Sequence, residues 1–365
     1  MAGGGAERQL TYLSCEFVRA GWDVHVAVIQ GGPNVGRLDA TGAAVHRVHA
    51  FGNHDPLILP RLIRIVRALR PDVIQCWLLQ MEVLGGLAAI ATGTPWILSE
   101  RTAAPAYRPG AKTWLRVRMG RRATAIISNS CTGDHYWQAR AGRVKRFVIP
   151  NGLPLEEIEA TPPMTEAEMG VPTHEPVVLC AGRLAAEKNI ETIVRALRLV
   201  ADVRPVRGIV CGDGPFGERV SALITELGLV DQVRTVGYVS KLWSLMKRAN
   251  ALVSVSFFEG SPNVVLEAMA CGCPLIVSEI PAHRELLDDG MAIFVDPNRP
   301  RQVADAIESV LNDPAGAAKR SQAALTRAQA YGLPLIAQRY AEVYGSVTES
   351  ARHKARIGHS DASRR

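Results

Sequence analysis

Two glutamates, Glu259 and Glu267, stand with seven residues between them in the stretch FEGSPNVVLEAMACGCP at positions 258–274. Each carboxylate can accept several hydrogen bonds, which suits hydroxyl-rich ligands such as sugars and ribose. Gly260, Ser261 and Pro262 turn the chain after Glu259, and a helix opens near Asn263 and Val264. The unpaired N–H groups of a first helical turn, with the positive end of the helix dipole, favour a phosphate. A second set lies upstream. The apolar run VVLC at 177–180 leads to Gly182 and Arg183, and Lys188 follows five residues later where another helix should start. Cations on a loop at the carboxyl end of a parallel strand match a diphosphate. Taken singly, each of these residues also describes an ordinary solvated surface. Their recurrence at successive strand ends is what points to one anionic, hydroxylated ligand.

The elements that would position these groups follow from the hydrophobic pattern. Short β-branched runs at 24–29, 44–48, 73–77, 96–98, 125–128 and 147–149 fill the first half. Runs at 177–180, 206–211, 233–236, 251–255, 275–277 and 293–295 fill the second. Amphipathic stretches such as 57–69, 190–200, 217–227 and 263–270 lie between them. This alternation predicts an α/β chain with mostly parallel sheets covered on both faces. The series breaks at Pro150-Asn151-Gly152-Leu153-Pro154, and a Pro- and Glu-rich stretch follows. The expected organisation is a domain over 1–152, a linker over 153–175, a second domain over 176–330, a helix over 331–348 and a disordered charged tail over 349–365.

Composition narrows the class of function. Of 365 residues, 47% are hydrophobic and 21% charged, as in a soluble globular protein. Aromatics at 5% leave few stacking surfaces for single-stranded nucleic acid, and no helix-turn-helix or zinc pattern is present. No apolar run reaches membrane-span length and no signal-peptide core opens the chain, so a cytoplasmic protein is expected. Seven cysteines lack metal-ligand spacing and read as reduced thiols. Residues 1–150 carry 19 Lys and Arg against 9 Asp and Glu, a net +10, while the remainder carries 23 against 26, a net −3. The basic half includes Arg61, Arg64, Arg67 and Arg70 on one stretch, and KTWLRVRMGRR at 112–122 on another. Such stretches either cover the sheet with solvated arginines or lie on an anionic membrane surface.

Three motifs in order, GRLAAEKN at 182–189, CGDGP at 211–215 and EGSPNVVLEAMACGCP at 259–274, resemble those of the family 4 retaining glycosyltransferases of the GT-B fold. The resemblance covers about residues 4 to 347. It implies two Rossmann-like domains facing each other across a cleft, and a UDP- or GDP-linked sugar as co-substrate. It assigns the donor diphosphate to Arg183 and Lys188. Glu259 is placed at the transferred sugar as the catalytic carboxylate, and Glu267 at the donor ribose. Backbone amides of the 261–264 segment fall to the phosphates, and Tyr238, beside Gly237, lies near the base. Gly4 and Gly5 match a loop that touches donor and acceptor. The implied acceptor is a glycan or a polyprenyl-linked sugar. No D-x-D sequence occurs, so neither a metal nor another cofactor is expected.

The chain departs from the family pattern in three places. The loop at Gly4 follows only three residues, so the usual first strand is expected to be missing. Gln75-Cys76-Trp77 stands where many members have a histidine. Trp77, with Glu100 and Arg101 at the next strand end, is therefore a candidate on the acceptor side. SEIPAHRE at 278–285 replaces a Gly-Gly pair and brings His283 and Arg284 toward the expected site. The resemblance thus implies a hexosyltransferase of cell-surface polysaccharide synthesis, with a truncated or catalytically impaired GT-B binding protein as the alternative.

Overall fold

The structure is a computed structural model that describes residues 4–52, 55–170 and 175–362. These divide into two compact units, the first taking the residues up to Gly152 together with those from Leu333 onward, the second Leu153–Gly332.

In the first unit, α1 (Gly5–Arg19), β1 (His25–Val28), α2 (Pro33–Thr41), β2 (Ala44–Arg47) and α3 (Ile58–Leu69) are followed by β3 (Ile74–Trp77), α4 (Leu79–Thr92) and β4 (Trp96–Glu100). Then come α5 (Ala111–Gly120), β5 (Ala125–Ser128), α6 (Cys131–Gln138) and β6 (Lys145–Val148). The strands form two parallel sheets, β1-β2 and β3-β4-β5-β6. Helix α1 covers both. Leu13 and Phe17 pack with Trp77, Ile97 and Ile127 of the larger sheet, whereas Cys15 packs with Val26 and Val28 of the smaller. Among the described residues no strand precedes α1.

The second unit begins with α7 (Leu155–Ala160) and α8 (Glu166–Met169), where the sequence predicts a linker. That expectation is corrected: Leu153, Ile158 and Met169 are buried in the core of the second unit, and apolar residues at these spacings make the segment part of the domain. Next are β7 (Val177–Ala181), α9 (Ile190–Ala201), β8 (Arg207–Cys211), α10 (Gly217–Glu226), β9 (Val233–Gly237) and α11 (Leu242–Arg248). The unit closes with β10 (Ala251–Ser254), α12 (Asn263–Ala270), β11 (Leu275–Ser278), α13 (Pro281–Arg284), β12 (Ile293–Val295), α14 (Pro300–Asn312) and α15 (Pro314–Ala328). All six strands are parallel in the order β12-β11-β10-β7-β8-β9. The direction of winding reverses between β7 and β10. Ligand crevices in doubly wound sheets form at such a switch point, outside the carboxyl ends of the strands.

The last helix, α16 (Leu333–Ala362), belongs to the first unit, with Ile336, Tyr340, Tyr344 and Val347 in its core beside Phe17 and Trp77. It continues to Ala362, where an irregular tail is expected from position 349. Glu349, Ala351, Lys354 and Ala355 are good helix formers, and the segment holds no proline and only one glycine, so nothing in it breaks a helix already anchored by its apolar first half.

Candidate active site

The loops at the carboxyl ends of β7 and β8 approach too closely for side chains. A Cβ on Gly212, whose φ is +126°, would lie 1.9 Å from the Gly182 carbonyl oxygen, and one on Gly214 would lie 2.3 Å from that of Leu184. Backbone bonds from Gly182 N to Cys211 O (3.0 Å) and from Leu184 N to Asp213 O (3.0 Å) lock the crossing. This close approach accounts for the glycines of CGDGP and fixes the backbone from which Arg183 projects. A short 3-10 turn, 186–188, then leads to Asn189 at φ +52°. The Asn189 amide donates to Val255 O (3.2 Å) and Pro297 O (2.7 Å), so the turn carrying Lys188 is pinned to the loop after β10.

Across the switch point, Glu259 follows β10. Its Oε1 accepts from Lys188 Nζ at 2.5 Å and from Ser256 Oγ at 2.7 Å. Arg183 Nη2 donates to Glu187 Oε1 at 2.5 Å. The N-terminus of α12 has no side-chain cap, and the Ser261 hydroxyl beside it is buried without a partner. Glu267, one turn further along α12, is buried and accepts from Trp243 Nε1 at 3.2 Å. Gly260, Pro262, Asn263 and Val264 line the turn into the helix. Tyr238 follows β9 and Gly237 and is largely exposed. The second unit therefore sets two cations, two carboxylates and an uncapped helix start along one sheet edge. Among them, Lys188 and Glu259 are in direct contact.

In the first unit, Gly4 and Gly5 form the exposed start of α1, where Gly4 N donates to Glu7 Oε2 at 2.9 Å. The acceptor-side candidates are corrected. Trp77 is buried in the core, with the Arg101 guanidinium 4.3 Å from its ring. Arg101 also donates to Tyr340 OH (3.1 Å) and to Asn151, bracing β4 against α16. Glu100 is fully buried and accepts from Arg116 Nη2 (3.0 Å), Trp137 Nε1 (2.9 Å), Tyr107 OH (2.6 Å) and Thr102 N (3.0 Å). Trp77 contributes apolar packing, and Glu100 and Arg101 satisfy buried or part-buried polar partners within the unit. His283 is also buried, with Nδ1 2.9 Å from Ser278 O, and burial pushes its pKa down. Arg284 is held at the surface by Glu279 and Asp289.

Sequence reasoning missed Glu187, Ser256, Glu82 and Trp243. The four-residue spacing of Arg183 and Glu187 was a usable signal for an ion pair. Ser256 reaches Glu259 through the β10 loop, and Trp243 reaches Glu267 from another helix, so neither left a pattern. Among the described residues no group of three or more His, Cys, Asp or Glu side chains is placed to hold a metal ion. No helix there is long and apolar enough to cross a membrane.

A doubly wound second domain with this edge, joined to an α/β first domain, defines the GT-B fold. The solved structure of Anabaena HepE in complex with UDP-glucose has that fold and superposes with a TM-score of 0.83 at 22% identity, covering 94% of this chain and 96% of that one. Residues 3–157 match the family model described as Glycosyltransferase Family 4, and residues 165–329 the model described as Glycosyl transferases group 1. Together these matches reach both units, so each unit is similar to a glycosyltransferase domain and the two-domain fold is GT-B. Alpha-D-kanosaminyltransferase of Streptomyces kanamyceticus is 32% identical over 177 residues, 47% of this chain and 46% of that protein. The chain thus spans about half the length of this curated relative. The lipopolysaccharide core biosynthesis glycosyltransferase LpsE of Rhizobium meliloti is 26% identical over 325 residues, 85% and 86% of the two chains.

Proposed function

We propose that the protein transfers a hexose from a nucleotide-diphosphate sugar to a glycan or lipid-linked acceptor. The observation that carries this reading is the grouping of Arg183, Lys188 and the uncapped α12 N-terminus around the β7/β10 switch point. Breaking the glycosidic bond leaves negative charge on the diphosphate and positive character on the sugar carbon. The two cations and the helix amides stabilise the first, and Glu259 the second. Glu267, inside α12, receives the ribose hydroxyls, and Tyr238 lies beside the base. The charge is met by protein groups, so the reading includes transfer without a divalent metal, with retention of configuration and with no protein nucleophile. The complex of HepE with UDP-glucose supports a UDP-linked donor, and the name of LpsE supports a cell-surface glycan as product. A panel of UDP- and GDP-sugars, read by released nucleotide, tests the assignment. One donor should turn over, with EDTA leaving the rate unchanged and Glu259→Gln abolishing it. Turnover of none in the presence of lipid-linked and free glycan acceptors would favour a binding protein.

The reading also places the acceptor at an anionic membrane surface. Support comes from α5, where Lys112, Arg118, Arg121, Arg122 and the Trp114 ring are exposed. Two further cations of these basic stretches are engaged within the unit: Arg116 is buried, and Arg61 is half-buried and held by Asp55 and His49 O. Salt-sensitive sedimentation with phosphatidylglycerol vesicles, absent with phosphatidylcholine, is expected; equal binding to both would overturn the electrostatic version. The same reading takes the family's first strand, which would lie between β1 and β3, to be missing, supported by the separate β1-β2 and β3-β4-β5-β6 sheets that α1 covers. Without it, edge amides of β1 and β3 should exchange with deuterium faster than those of β4, and equal protection would count against it.

A further inference from the structure

Both cations of the donor site already hold a carboxylate. Lys188 pairs with Glu259, to which the proposed reaction gives a task, and Arg183 pairs with Glu187, to which it gives none. The two partners in the second pair differ in freedom. The Arg183 side chain is 67% exposed, while that of Glu187 is 23% exposed. The Glu187 backbone oxygen accepts from Phe257 N at 2.9 Å, tying its turn to the loop that carries Glu259. The carboxylate is therefore the fixed member and the guanidinium the mobile one. Burial opposes the charge on Glu187, but a backbone N–H and Arg183 hold its carboxyl below the usual range, so it is anionic at neutral pH.

We propose that Glu187 is an internal counter-ion that occupies Arg183 until a nucleoside diphosphate displaces it. This rests on the donor-site reading above and adds a step to it. Within these two ion pairs each cation already has a carboxylate as its counter-charge. A diphosphate adds at least two negative charges and competes with the carboxylates for both cations. The planar guanidinium fork matches two phosphate oxygens as well as it matches a carboxylate, and Arg183 can exchange one for the other by rotation of its own side chain. The exchange weakens nucleotide binding in the forward direction. In reverse, Glu187 recaptures Arg183 and helps the spent nucleoside diphosphate to leave.

Titration calorimetry with UDP, and with GDP in parallel, on the whole chain tests this step. Glu187→Gln removes the competing charge at nearly constant shape and should tighten nucleotide binding about two- to fivefold at low salt, the range of a surface ion pair. Glu187→Ala should act in the same direction, and thermal melts verify that each variant is folded. In an Arg183→Ala background the gain from Glu187→Gln should vanish. Unchanged or weaker binding by both folded Glu187 variants would overturn the proposal, as would a gain that persists without Arg183. Failure of the donor-site reading gives a different signature: Arg183→Ala and Lys188→Ala alone would leave nucleotide affinity unchanged.

Discussion

At the residue scale, charge sits in two environments with opposite consequences. Arg183 and Lys188 lie at a solvent-reachable edge, where the proposed donor diphosphate would meet them. Arg183→Ala and Lys188→Ala should each cost about 2–4 kcal/mol of transition-state stabilisation, seen as lowered kcat in a nucleotide-release assay while the melting temperature stays near wild type. Arg116 instead stacks under Tyr107 and Trp137 and bonds both Glu82 and Glu100. Arg116→Ala leaves two buried carboxylates without their cation and should destabilise the protein by about 3–5 kcal/mol, measured by denaturant melts. Burial first, and then Glu100, push Glu82 up from the ordinary 4.5 to about 7, against the pull of Arg116. A folded value above the unfolded one gives stability that is full below about pH 4.5 and is lost as the pH rises through about 7. Thermal melts of the wild type should therefore fall across that window, and Glu82→Gln should flatten the fall. Arg116 was indistinguishable in sequence from its exposed neighbours Lys112 and Arg118, because the partners that bury it come from α4, β4 and α6.

At the element scale, the strand ends decide the site. Gly212→Ala would force a Cβ against the Gly182 carbonyl and a positive φ on a residue that disfavours it. The variant should lose nucleotide binding and at least about 1–3 kcal/mol of stability, by the usual cost of such backbone strain. A folded variant with wild-type affinity would show that the loop crossing does not shape the site. The twelve strands of the described residues were legible to within two residues at either end; central strands such as β5, β10 and β11 are apolar and buried almost throughout, while the edge strands β2, β6 and β9 keep only part of that pattern. Helix α12 opened at the expected Asn263 because Gly-Ser-Pro leaves little alternative. The 153–175 segment misled because its prolines and glutamates resemble a linker, and its anchors Leu153, Ile158 and Met169 become visible as anchors only once a core exists to receive them. Trp77, Glu100 and Arg101 misled for a related reason: strand-end position marks the second unit's site, whereas in the first unit the same position faces α16 and the Arg116 cluster.

At the scale of the whole molecule, each unit has its own core. The first unit is completed by α16, whose Ile336, Tyr340 and Tyr344 fill its core from the far end of the chain. A chain ending at Gly332 should therefore expose that core and aggregate, while a soluble two-transition melt from it would contradict this account. The proposed donor site lies on the second unit's own sheet edge, and this is the claim on which the functional reading rests. Deuterium exchange with saturating UDP or GDP tests it most directly. The account predicts slowed exchange of backbone amides at 182–189 and 261–266 with one of the two nucleotides. No protection by either nucleotide, or protection confined to the opposite edge around Arg204, Arg207 and Asp231, would contradict it.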